Sequence, residues 1–139
     1  MKILLAVDGS PYTKKMLAYL AAHELFSPKN EYTAFTVHLM LPAQARSALG
    51  KELVTKYYAD EGQRILSPVH KFLERHGVKA KGIWKTGNAG ELIAKLADTE
   101  KFDLVVMGSH GHSALVNLMV GSVATTVLAS CKVPALIVR

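Results

Sequence analysis

Apolar residues fall in short runs, and the stretches between them follow a different rhythm. KILLAVD (2–8) is a continuous apolar run that ends in an aspartate. Its length and branched side chains predict a strand buried on both faces. Gly9, Ser10 and Pro11 follow. Ser10 can cap a helix, and Pro11 suits a first turn, where no amide donor is needed. Met16, Leu17, Leu20 and Leu25 recur at helical spacing, which predicts a helix over 11–26. Pro28, Lys29 and Asn30 break it.

YTAFTVHLM (32–40) predicts a second strand, with Pro42 marking its end. Residues 43 to 49 read as irregular, and a long helical stretch then runs to about His76. Gly77 is a fitting stop, and Pro68 predicts a kink or a break inside it. VKAKGIWKT (78–86) is a third strand; Lys79, Lys81 and Lys85 share one face and suit a guarded edge. Asn88 and Glu91 resemble a capping pair before a helix carrying Leu92, Ile93 and Leu96. FDLVVM (102–107) is a fourth strand, SVATTVLASC (122–131) a helix of small residues, and VPALIV (133–138) a fifth strand. Strands alternate with helices throughout. The expectation is one α/β domain over residues 1–139, with a parallel sheet covered on both faces.

Composition changes this picture little. The chain has 139 residues, half of them hydrophobic, which is enough for one domain with a real core. No stretch is long and apolar enough to span a membrane, so no membrane association is expected. The opening MKILLAVDGS lacks the longer apolar core of a secretory signal. Together with a single cysteine, this gives a cytoplasmic expectation. The formal charge of +6 favours acidic partners in general. The lysines and arginines are scattered, however, and the densest group (Lys71, Arg75, Lys79, Lys81, Lys85) reads as a solvated basic face. With no RNA signature and no clear helix-turn-helix, a nucleic-acid partner is not expected.

The chemistry concentrates in GSHGHSALVNLMVGSV, residues 108–123. In a parallel sheet, ligands bind beyond the carboxyl ends of the strands, where the chain order reverses. Two loops of suitable composition arrive there: Val7-Asp8-Gly9-Ser10 and Gly108-Ser109-His110-Gly111. Asp103 lies at the opposite end of its strand and is excluded. Glycines in such a turn let backbone amides converge on an anion. Gly121 and Ser122 open a helix whose free amides also attract phosphate. The intervening HSALVNLMV can fold back as an apolar arch that brings the two glycine groups together. Asp8 can supply a carboxylate to a magnesium ion or to a ligand hydroxyl. Glycines after a strand are also ordinary turn formers, and neither a Walker loop nor a dinucleotide fingerprint is present.

The composite G-x2-G-x9-G-S, at Gly108, Gly111, Gly121 and Ser122, resembles the ATP-binding signature of the universal stress protein family. The opening AVDGS and the closing KVPALIV are similar to that family too, and the resemblance covers the whole chain. It implies a Rossmann-like five-stranded sheet in the order 3-2-1-4-5, similar to the adenine nucleotide alpha hydrolases, with ATP lying across strands one and four. It implies that Val7 and Asp8 contact adenine or ribose, that Leu39 gives adenine a backbone contact, and that Met107 packs on the base. Gly108, Ser109, His110, Gly111, Gly121, Ser122 and Val123 would then hold the ribose and phosphates. Some members carry a basic residue where this chain has His112, so phosphate neutralisation is expected to be weaker here or dependent on pH.

Other candidates have plainer readings. His110 and His112 lack further ligands nearby in sequence, so they fit phosphate contact or solvent exposure better than a metal site. His38 reads as a satisfied core histidine, Trp84 as packing and Cys131 as a small apolar filler. No catalytic residue is assigned. The function expected is an ATP-dependent sensor or switch in stress response. The alternatives are a slow ATP-hydrolysing enzyme, for which His110 is the one candidate base, and a partner-binding protein that ignores nucleotide. The strand order that the resemblance implies puts strand five at the sheet edge, where it carries only Pro134 and Arg139 as protection. A homodimer paired through residues 133–138 would cover that edge, and the resemblance implies the same dimer.

Overall fold

The structure, a computed structural model, describes residues 1–112 and 119–139. Five strands, β1 (Lys2–Ala6), β2 (Glu31–His38), β3 (Ala80–Thr86), β4 (Leu104–Gly108) and β5 (Ala135–Val138), form one sheet. Its order is β3-β2-β1-β4-β5 and every pairing is parallel. Five helices complete the described fold: α1 (Pro11–Ala22), α2 (Ala43–Leu49), α3 (Lys51–Arg75), α4 (Ala89–Thr99) and α5 (Ser122–Ser130).

The apolar run of β1 is continuous because each face of the strand meets a different core. Ile3, Leu5 and Val7 pack with Met16, Leu17 and Leu20 of α1 and Ile65, Leu66, Val69 and Leu73 of α3. Leu4 and Ala6 pack on the opposite face, with Ile93, Leu96 and Ala97 of α4 and Ala124 and Val127 of α5. Burial on both sides is the usual environment of a parallel sheet, and it removes the polar alternation seen in half-exposed strands. Lys81 and Lys85 stay exposed on edge strand β3. Asp103 lies at the amino end of β4, where its carboxylate accepts a bond from the Lys2 amide at 2.7 Å.

Three helix ends share one geometry. After α1, α3 and α4, residues Glu24, Gly77 and Lys101 take left-handed φ values of 54°, 75° and 54°. The next amide reaches back to close the helix: Leu25 to the Leu20 carbonyl, Val78 to Leu73, and Phe102 to Ala97. These are Schellman closures, which satisfy the last carbonyls and turn the chain toward the following strand. The predicted helix over 11–26 therefore stops at Ala22, because Leu25 belongs to the closure and not to the helix.

Four further expectations are corrected. Residues 43–49, read as irregular, form α2, which has no buried residue. Its Ala, Gln, Arg and Leu residues favour helix intrinsically, but no core-facing stripe announces it. Helix α3 runs from Lys51 to Arg75 without a break at Pro68. That proline is on the exposed face, so the carbonyl it leaves unbonded is on the solvent side. Ser10 occupies the N-cap position of α1 with Pro11 behind it, but its hydroxyl makes no capping bond. His38 stacks on Trp84 at 5.8 Å between ring centroids. It is not the satisfied core histidine expected, because its Nε2 is buried with no partner among the described residues.

Candidate functional site

Strand β1 lies between β2 and β4, so the chain order reverses at its carboxyl end. A cavity of about 400 Å³ opens there. That volume is within the usual range for small-molecule and cofactor sites. Ala6, Phe35, Val37 and Met107 give it an apolar floor, and Leu39, 85% exposed, stands at its rim.

All eleven residues singled out from the sequence reach this cavity: Val7, Asp8, Leu39, Met107, Gly108, Ser109, His110, Gly111, Gly121, Ser122 and Val123. His112 lines it as well. The two glycine groups are joined directly. The Gly121 amide donates to the Ser109 carbonyl at 2.6 Å. Most of the arch proposed between them, at residues 113–118, lies outside the described residues.

The glycines do different work. A Cβ on Gly121 would stand 3.1 Å from the Ser109 carbonyl oxygen and 3.2 Å from the His110 Cα. Its φ is −75°, so what it provides is room for the neighbouring backbone and not an unusual dihedral. A Cβ on Gly108 would meet Tyr12 of α1 at 2.8 Å. That glycine lets the first helix seat against the end of β4. A Cβ on Gly111 would stand 2.6 Å from Asp8 Oδ2, across the cavity's mouth.

Asp8 is held by its own loop. Its Oδ1 accepts from the Ser10 amide and from the Thr13 hydroxyl, both at 2.9 Å, while its amide donates to Thr13 Oγ1 at 3.0 Å. Oδ2 has no partner among the described residues and faces Gly111. Ser109 is buried, with its hydroxyl 2.9 Å from His110 Nδ1, and the His110 ring packs 5.0 Å from that of Tyr12. His112 Nε2 lies 2.6 Å from the Asp8 carbonyl oxygen, to which it donates.

No group of three or more His, Cys, Asp or Glu that could hold a metal occurs among the described residues. A single free carboxylate oxygen does suit magnesium, which keeps several waters and is shared with substrate phosphates. Asp8 therefore fits a metal carried in by a phosphate ligand and does not build a protein cage.

The sequence reading missed part of the lining. Phe35 and Val37 look like any core residues of a strand. The Gly87-Asn88 turn and the first residues of α4, Ala89 and Gly90, also border the cavity. They follow β3 at the same edge, so the carboxyl-end rule, applied to the third strand, would have found them. Asn88 serves the fold there: its Oδ1 accepts from the Glu91 amide at 3.0 Å, as the capping pair predicts.

Cys131 is half-buried at the end of α5, and burial pushes its thiol above the ordinary range. That supports filler over nucleophile. No helix is long and apolar enough to cross a membrane among the described residues.

Comparison with known proteins agrees with the architecture. Universal stress protein MJ0531 of Methanocaldococcus jannaschii is 32% identical over 142 residues, covering 99% of this chain and 81% of that protein. The solved structure of MJ0577, from the same organism, superposes with a TM-score of 0.83 at 29% identity, covering 99% of this chain and 94% of that one. An Arabidopsis thaliana universal stress protein family structure with AMP bound gives a TM-score of 0.69 at 14% identity, covering 99% and 90%. The sequence profile of the universal stress protein family matches residues 1–139, and the chain belongs to that family.

Proposed function

We propose that the cavity is an adenine-nucleotide site, that ATP with Mg²⁺ is its ligand, and that the protein works as a nucleotide-dependent sensor or switch in stress response. One observation carries this reading. The Gly108–Gly111 loop and the amino end of α5 are tied together around a nucleotide-sized cavity at the carboxyl edge of the sheet. Met107, Phe35 and Val37 offer an apolar surface for a purine, with Val7 and Leu39 beside it. Asp8 Oδ2, which has no partner among the described residues, can take a ribose hydroxyl or the metal. The amides of Ser122 and Val123 are among the open donors at the amino end of α5, where anions bind favourably. The relative solved with AMP bound supports the choice of adenine. The reading includes a homodimer paired through residues 133–138, which would cover the edge of β5.

The test is direct. Freshly purified protein is acid-extracted and its supernatant examined for adenine nucleotide, and the emptied protein is titrated with ATP in Mg²⁺ by calorimetry. Released or titratable adenine nucleotide near one per chain is expected. A folded protein that neither carries nor binds any adenine nucleotide would overturn the reading.

A further inference from the structure

The charge around the cavity does not match a bare triphosphate. Residues 108–123, which the reading above assigns to ribose and phosphates, contain no lysine and no arginine. Among the described residues none of either type lines the cavity. Lys15 holds its ammonium 4.9 Å from the Tyr12 ring, and Tyr12 in turn packs on His110. The carboxylate of Asp8 faces Gly111 at the mouth. His110 is bonded to Ser109, and His112 is engaged with the Asp8 carbonyl.

What the described residues leave for phosphate is backbone alone: the amides of the glycine loop beyond Ser109, and the amino end of α5, equivalent to roughly half a positive charge. A phosphomonoester carries about −1.5 to −2 near neutral pH. Each added phosphate brings further negative charge, and here it would be added beside a carboxylate. A magnesium ion riding on the phosphates reverses the sign of that last interaction: Asp8 Oδ2 becomes a ligand in place of a repelling charge.

The geometry points to a cavity that accepts a nucleoside triphosphate when the phosphates bring their own divalent cation, accepts the monophosphate without one, and owes this selectivity to Asp8 and His112. It rests on the adenine-nucleotide reading and goes further by naming the charge state that is accepted and the residues that decide it.

The experiment is calorimetric titration of the whole protein, stripped of ligand, with AMP and with ATP, each in EDTA and each in excess Mg²⁺. AMP affinity is expected to be the same in both media. ATP is expected to bind at least about tenfold more weakly than AMP in EDTA, and to recover by about that factor in Mg²⁺. Two variants move the balance. His112→Arg adds a cation at the mouth from an exposed position and should raise metal-free ATP relative to AMP about tenfold. Asp8→Asn keeps the Oδ1 acceptor that holds the loop, removes the repelling charge, and should shrink the Mg²⁺ effect on ATP. Metal-free ATP binding as tightly as AMP in the unmodified protein would overturn the proposal and leave the adenine-nucleotide reading intact. Failure of both nucleotides to bind in either medium would overturn that reading, and this proposal with it.

Discussion

The amide of Gly121 donates to the carbonyl of Ser109 at 2.6 Å, across a gap too narrow for a side chain. This bond joins the loop after β4 to the first turn of α5. Gly121→Ala would place a methyl 3.1 Å from the Ser109 oxygen and 3.2 Å from the His110 Cα, so the loop would have to shift by a few tenths of an ångström. Nucleotide affinity is expected to fall by about tenfold, and further in Gly121→Val, while far-UV circular dichroism stays native. An alanine variant that binds nucleotide as tightly as the parent would remove this contact from the site.

Two of the three Schellman closures use residues poorly suited to their backbone. Glu24 and Lys101 have φ of 54°, a region that costs a non-glycine residue about 1–2 kcal/mol. Glu24→Gly and Lys101→Gly are each expected to stabilise the fold by about 0.5–1 kcal/mol, seen as a rise of a few degrees in melting temperature. Gly77→Ala, at the third closure, should move the other way. Calorimetric melting of the three variants checks the signs together.

Burial of the His38 ring holds its imidazole below the ordinary value of 6.5. The unfolded chain therefore takes up a proton more readily than the folded one. The stability that His38 contributes is complete above about pH 6.5 and falls as the pH drops below it. Glu61 and Arg64 of α3 lie near enough to act on the ring with opposite signs. Urea midpoints should decline between about pH 7.5 and about pH 5.5, and His38→Gln should flatten part of that decline. An identical slope in the variant would assign the loss to other groups.

The dimer is tested without any ligand. Sedimentation equilibrium at micromolar concentration should return twice the chain mass of 15.1 kDa. Ile137→Pro removes a donor from β5 and should dissociate or unfold the assembly. A monomeric parent would refute pairing through residues 133–138.

The strands were legible because burial on both faces leaves an unbroken apolar run, as in Ile3 to Val7. Helix ends were less so. Gly77 announces its closure, whereas Glu24 and Lys101 hold the same backbone through hydrogen bonds that no single residue type signals. Helix α2 was invisible to a search for core-facing stripes because it buries nothing. At the site, the glycine pattern and the strand ends together pointed to the edge of the sheet where the cavity opens. Phe35 and Val37 could not be separated from core residues, since an apolar floor and an apolar core have the same composition.

Gly108 lies against Tyr12, at 2.8 Å from where its own Cβ would stand. The constraint comes from the seating of α1 and would act whether or not a ligand ever enters. A descendant of this chain that had abandoned nucleotide would still be held to glycine at that position, and at Gly111 for as long as Asp8 kept its place, since a Cβ there would stand 2.6 Å from Oδ2. The motif is thus two records superimposed: its first letter testifies to the seating of a helix, its second to the aspartate that faces it.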